Sequence, residues 1–153
     1  MASEDEYWTP AGAPTLMVID DSPSIRTIIQ AAFARVGIPV LGYADGITAI
    51  AALTRDEVPV PALVLLDIGM PKMNGYEVAS ILRTTYGPDT MQIVMLTAHD
   101  GPWNRVHSKW VGATKFISKP FRVSEVVRIV CELLGYPLPH TRSAPAAVPG
   151  DRE

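Results

Sequence analysis

The stretch Ala62-Leu63-Val64-Leu65-Leu66-Asp67-Ile68-Gly69-Met70-Pro71 decides the fold. Five apolar residues with no polar alternation describe a strand buried on both faces, and such strands belong to parallel sheets whose crossover helices cover both sides. Asp67 ends the run, so a carboxylate stands at the mouth of the sheet. Working outward, Leu16-Met17-Val18-Ile19 ends in Asp20-Asp21, Ile93-Val94-Met95-Leu96 ends in Thr97, and Lys115-Phe116-Ile117 precedes Lys119-Pro120. Four buried-looking strands thus deliver three carboxylates, a hydroxyl and an ammonium to one rim. In open parallel α/β sheets, ligands and chemistry sit outside the carboxyl ends of the strands.

Apolar runs fall at 15–19, 39–43, 62–66, 92–96 and 115–117, with helical patterns between them, which is the alternation of an α/β fold. Ser22 is an N-cap candidate with Pro23 at the first helical position. From there Ile25, Ile28, Ile29, Ala32, Phe33 and Val36 form one stripe, and Gly37 stops it. Asn74-Gly75-Tyr76-Glu77 has the spacing of a capping box. Further helices are predicted over 46–55, 74–85, 101–111 and 122–134. Residues 1–13 read as an acidic disordered arm, 14–136 as one compact domain, and the Pro/Ala-rich 137–153 as a disordered tail.

The 153 residues are 48% hydrophobic and 19% charged, enough apolar content for one domain with a full core and no disulfide. The net charge of -3 argues against a general nucleic-acid or anionic-membrane binder, because both depend on basic surface. Cys131, the only cysteine, falls in a helical run and reads as a small core residue. The N-terminus carries neither a basic segment nor an apolar stretch behind it, and no apolar run approaches the ~20 residues of a membrane span. A cytoplasmic protein is expected. His99, His107 and His140 show no ligand spacing with one another or with Cys131, which disfavours zinc.

Asp20, Asp21 and Asp67 would repel one another if they converged without a cation. Mg²⁺ is commonly held by one or two carboxylates plus phosphate oxygens and waters. Three carboxylates against Mg²⁺ and Lys119 neutralise, so a metal site explains the acids, while helix capping stays open for Asp20 and Asp21. A carboxylate can also attack phosphorus to give an aspartyl phosphate, a transfer driven by positioning and by neutralising the phosphoryl oxygens. Mg²⁺, Lys119, the Thr97 hydroxyl and backbone N–H groups after Asp67 suit that task.

These motifs, Asp20-Asp21-Ser22-Pro23, Asp67-Ile68-Gly69-Met70-Pro71, Asn74-Gly75, Leu96-Thr97-Ala98, Gly112-Ala113 and Lys119-Pro120-Phe121, give a chain that resembles the receiver domain of two-component response regulators over residues 14–136. Single-domain chemotaxis and twitching-motility regulators are of this type. The resemblance implies a flavodoxin-like fold with five parallel strands in order 2-1-3-4-5 and helices on both faces. It further implies that a histidine kinase or phosphotransfer protein phosphorylates Asp67, that Asp20, Asp21, Asp67 and the Gly69 carbonyl hold Mg²⁺, and that Lys119 contacts the phosphoryl group. Phe116 matches the family's aromatic switch position, responding to Thr97; a static core aromatic is its other reading. Gly69 and His99 fall where the family tunes the lifetime of the phosphoryl state.

The 17 residues after Tyr136 are too few for a DNA-binding module. The expected output is therefore protein contact through the fourth helix, fifth strand and fifth helix. Trp103, Val106 and Trp110 form one stripe of that fourth helix, read either as core or as an exposed partner anchor. The expected chemistry is self-catalysed phosphoryl transfer and autodephosphorylation, not turnover of a separate substrate. Two other readings compete: a Mg²⁺-dependent phosphohydrolase with an aspartyl-phosphate intermediate, which lacks an acid where Gly69 stands, and a phosphorylation-independent scaffold.

Overall fold

A computed structural model describes residues 14–98 and 112–138. The elements run β1 (Leu16–Ile19), α1 (Pro23–Ala34), β2 (Val40–Tyr43), α2 (Gly46–Thr54), β3 (Leu63–Asp67), α3 (Gly75–Thr85), β4 (Gln92–Thr97), β5 (Lys115–Ser118) and α4 (Val123–Leu134). All strand pairs are parallel and the sheet order is β2-β1-β3-β4-β5, as expected. The predicted helix over 101–111, with its Trp103-Val106-Trp110 stripe, lies outside the described residues, as do His99, His107 and His140.

Alternation along the strands sorts side chains into two cores. Leu16, Val18, Leu63, Leu65, Val94 and Leu96 meet Ile29 and Phe33 of α1 and Val126, Ile129 and Val130 of α4. Met17, Ile19, Val64, Leu66, Ile93 and Met95 meet Ala49 and Leu53 of α2 and Val78, Ala79 and Leu82 of α3. Each residue of β1 and β3 is buried whichever way it points, which is why those runs show no polar alternation. Cys131 is buried in the first core, as its place in a helical run predicts.

The differences from expectation have local causes. β5 is an edge strand whose burial is mixed, so it is not buried like β1, β3 and β4. β3 includes Asp67, because the ladder continues one step further through Ile68 N–H to the Leu96 carbonyl (3.0 Å). α1 ends at Ala34, and the turn through Gly37, which takes φ +80°, returns the chain to β2. Ile28 is 48% exposed, although its spacing put it on the apolar stripe. The buried face of α1 is narrower than the stripe, centred on Ile29 and Phe33. Among the described residues no helix is long and apolar enough to cross a membrane.

Candidate functional site

Asp20 follows β1, Asp67 ends β3, Thr97 ends β4 and Lys119 follows β5, so the parallel order brings all four to one rim of the sheet. Asp20 is completely buried, Asp67 is 5% exposed and Thr97 2%. Asp21 is exposed. Carboxylate oxygens of Asp20, Asp21 and Asp67 lie within 4.8 Å of one another, close enough to share one small ion.

Asp20 is held on every side. Its amide donates to the Tyr43 carbonyl (3.1 Å), its carbonyl accepts from Arg26 Nη1 (2.7 Å), and its Oδ1 accepts from the Ser22 amide (2.9 Å). Its Oδ2 accepts from Lys119 Nζ (3.1 Å). The helix cap is Ser22, whose hydroxyl accepts from the Ile25 amide (3.3 Å). Capping α1 is thus the work of Ser22, and the Asp20 carboxylate serves the rim.

Lys119 Nζ also donates to Asp67 Oδ1 (3.3 Å), and the Gly69 amide donates to the same oxygen (3.2 Å). The Lys119 backbone amide donates to the Thr97 carbonyl (2.7 Å), which continues the β4–β5 ladder one residue past Ser118. Burial opposes the Lys119 charge, but the hydrogen bond to Asp20 and the two neighbouring carboxylates outweigh it and raise its pKa above the ordinary lysine value. Lys119 is a cation at neutral pH. Burial, with the Asp20 charge beside it, pushes the Asp67 carboxyl up despite the opposing pull of Lys119. Three carboxylates and one ammonium leave the cluster two negative charges in excess, a deficit that one divalent cation would cancel.

Phe116 pairs with Met95 across β4 and β5, so it shares a face with Thr97 two residues further on. It is half-buried, packed against the second core. Gly69 lies in the loop after β3, and a methyl group added there would meet open space. Arg26 was not singled out from the sequence. Its position on the second turn of α1 is visible there, but the return of its guanidinium to the Asp20 carbonyl depends on the packing of α1.

A doubly wound sheet of the flavodoxin-like class carries its chemistry at the carboxyl rim, and here that rim holds a buried acid pair bridged by lysine. Residues 16–131 match the model of the response regulator receiver domain, and the chain belongs to that family, the receivers of two-component systems. It is similar to Protein PilG of Pseudomonas aeruginosa, with 29% identity over 112 residues covering 73% of this chain and 81% of PilG. It also resembles the alkaline phosphatase synthesis transcriptional regulatory protein PhoP of Bacillus subtilis, at 36% identity over 72% of this chain but only 44% of PhoP. Among solved structures, the chemotaxis protein CheY4 of Vibrio cholerae has TM-score 0.72 at 27% identity, covering 79% of this chain and 98% of CheY4. A response regulator receiver protein from Burkholderia phymatum has TM-score 0.72 at 31% identity, covering 82% and 98%.

Proposed function

We propose that this chain is a phosphorylation-gated switch in which Asp67 accepts a phosphoryl group from a phosphohistidine of a histidine kinase or phosphotransfer protein. The observation that carries this reading is the Lys119 ammonium bridging Asp20 and Asp67 within a cluster of three carboxylates. Asp67 attacks phosphorus, the phosphorus–nitrogen bond of the donor breaks, and the imidazole leaves with the electron pair. Lys119 moves from Asp67 Oδ1 toward the new phosphoryl oxygens while keeping Asp20, and its charge is then spent where negative charge accumulates. Asp20, Asp21, Asp67 and the Gly69 carbonyl would hold Mg²⁺, and the oxygen donors suit that hard cation. Bound Mg²⁺ supplies positive charge opposite the oxygens of the group in transit.

Thr97 responds to the new oxygens at the end of β4, and Phe116, on the same face of β5, follows it inward. The change is read by a protein partner at β5, α4 and the segment between β4 and β5. Residues 14–136 act as the receiver, in the cytoplasm. Incubation with Mg²⁺ and a small phosphodonor tests the reading. A stoichiometric adduct mapped to Asp67, absent from Asp67→Asn, is the expected result. Labelling that survives Asp67→Asn refutes it, and continuous donor hydrolysis without an adduct returns the chain to the phosphohydrolase class.

A further inference from the structure

We propose that Gly75 is a positioning residue for the acidic site: it is the abutment against which the backbone of Asp67 and Ile68 is set. The inference rests on the role proposed for Asp67. Gly75 is the first residue of α3 and is buried. Its amide donates to the Ile68 carbonyl (3.0 Å), while on the other side the Ile68 amide donates to the Leu96 carbonyl (3.0 Å). Ile68, the residue that follows Asp67, is therefore clamped between β4 and the start of α3.

A Cβ at position 75 would lie 2.5 Å from the Asp67 carbonyl oxygen, 2.7 Å from Ile68 Cα and 3.0 Å from the Asp67 carbonyl carbon. All three are backbone atoms, so no side-chain rotation relieves the overlap. Glycine is needed here for space, to let the helix start touch the strand end. The helix start is itself fixed by a capping box, in which Asn74 Oδ1 accepts from the Glu77 amide and Glu77 Oε1 accepts from the Asn74 amide, both at 3.0 Å. Sequence carries the chain of support from Asn74 and Glu77 through Gly75 to Asp67. An added atom at 75 must displace the Asp67–Ile68 backbone or the start of α3 that braces it, and either movement loosens the abutment.

Gly46 supplies the control. A Cβ there would run into Val78 Cγ2 where α2 packs against α3, a clash with a side chain rather than with the backbone of Asp67 and Ile68. The test compares Gly75→Ala with Gly46→Ala, at a temperature where circular dichroism shows each folded, by Mg²⁺ titration calorimetry and by the rate of Asp67 labelling. Gly75→Ala is expected to weaken Mg²⁺ binding by roughly tenfold or more, the scale on which displaced supporting groups act, and to slow labelling. Gly46→Ala is expected to lower the melting temperature, recover it with Val78→Ala, and keep wild-type Mg²⁺ affinity. Wild-type Mg²⁺ affinity and labelling in folded Gly75→Ala, or an equal loss of affinity in Gly46→Ala, overturns the proposal. Should Gly75→Ala not fold, Asn74→Ala loosens the same abutment without a clash and must weaken Mg²⁺ binding severalfold; unchanged affinity there overturns it equally. A wild-type protein that neither binds Mg²⁺ nor labels at Asp67 would instead remove the function proposed above.

Discussion

Replacing Asp67 by asparagine should stabilise the metal-free protein. At an effective dielectric of about 20, a pair of unit charges 4.8 Å apart, the upper limit on separations within the acid cluster, is worth about 3.5 kcal/mol and a pair at 3.3 Å about 5 kcal/mol. Asp67 feels the first as repulsion from Asp20, the second as attraction to Lys119, and a further repulsion from Asp21, roughly halved by solvent around that exposed carboxylate. Repulsion and attraction therefore nearly cancel, and the desolvation of the buried carboxylate decides the balance. Asparagine escapes that cost and still offers Oδ1 to the Gly69 amide. The expected gain is about 2 kcal/mol, or about 6 °C in melting temperature for a chain of this length.

The assay is thermal unfolding of wild type and Asp67→Asn in EDTA and in saturating Mg²⁺. An ion at a hundred times its dissociation constant stabilises the fold by about 2.7 kcal/mol, so Mg²⁺ should raise the wild type by more than the variant, which has lost a ligand, and close or reverse the gap. The pH dependence has a definite sign. The folded-state pKa of Asp67 is raised, so its neutral form favours the fold. Its stabilising contribution is complete below the ordinary carboxyl value of about 4 and is lost as pH rises through the raised folded value. The advantage of Asp67→Asn in EDTA should therefore be full at neutral pH and shrink as pH falls toward about 4. A variant less stable than wild type in EDTA at neutral pH, or a gap indifferent to pH, would refute the reasoning.

Lys119→Ala leaves the fully buried Asp20 without its cation and should cost about 2 kcal/mol or more in EDTA, with part restored by Mg²⁺; equal losses in both media in thermal melts would contradict the shared-charge argument. Ser22→Ala removes the cap on α1 and should cost about 1 kcal/mol in urea unfolding, with Asp67 labelling retained because the Ser22 amide still serves Asp20. Arg83 donates to the carbonyls of Tyr86, Met91 and Gly112, so Arg83→Ala should cost about 2–3 kcal/mol through acceptors left unpaired, measured by the same unfolding.

The parts of the fold that the sequence displays are those in which one physical demand acts alone. β1, β3 and β4 are buried on both faces, so unbroken apolar runs mark them within a residue of their ends. Asn74 and Glu77 announce the start of α3 because the capping box is a local exchange of hydrogen bonds. Ile28 misled because spacing gives the direction of a side chain but not the width of the surface that receives it. Asp20 and Ser22 stood as competing caps in the sequence, since both residue types suit that position; the buried cluster settles them by giving Asp20 a demand that no solvent-facing cap has. Strand order is not encoded in periodicity, and it came from resemblance to a family.

Lys119 shows most clearly what motifs alone leave out. It meets Asp20 across 99 positions of sequence, and in the order β1-β3-β4-β5 the strands that deliver the two are three places apart. At about 4.8 Å between neighbouring strands, that is a span of about 14 Å, near the full reach of an extended lysine, a hydrogen bond and an aspartate together. The amide of Lys119 donates to the Thr97 carbonyl, which continues the β4–β5 ladder one residue past Ser118 and fixes where the lysine side chain leaves the rim. From there the side chain reaches back across the rim to Asp67 and Asp20. The same hydrogen bond places the residue proposed to sense the phosphoryl charge and the residue proposed to relay it on one peptide contact. In the switch proposed above, that contact is the route by which a shift at Lys119 would reach the end of β4.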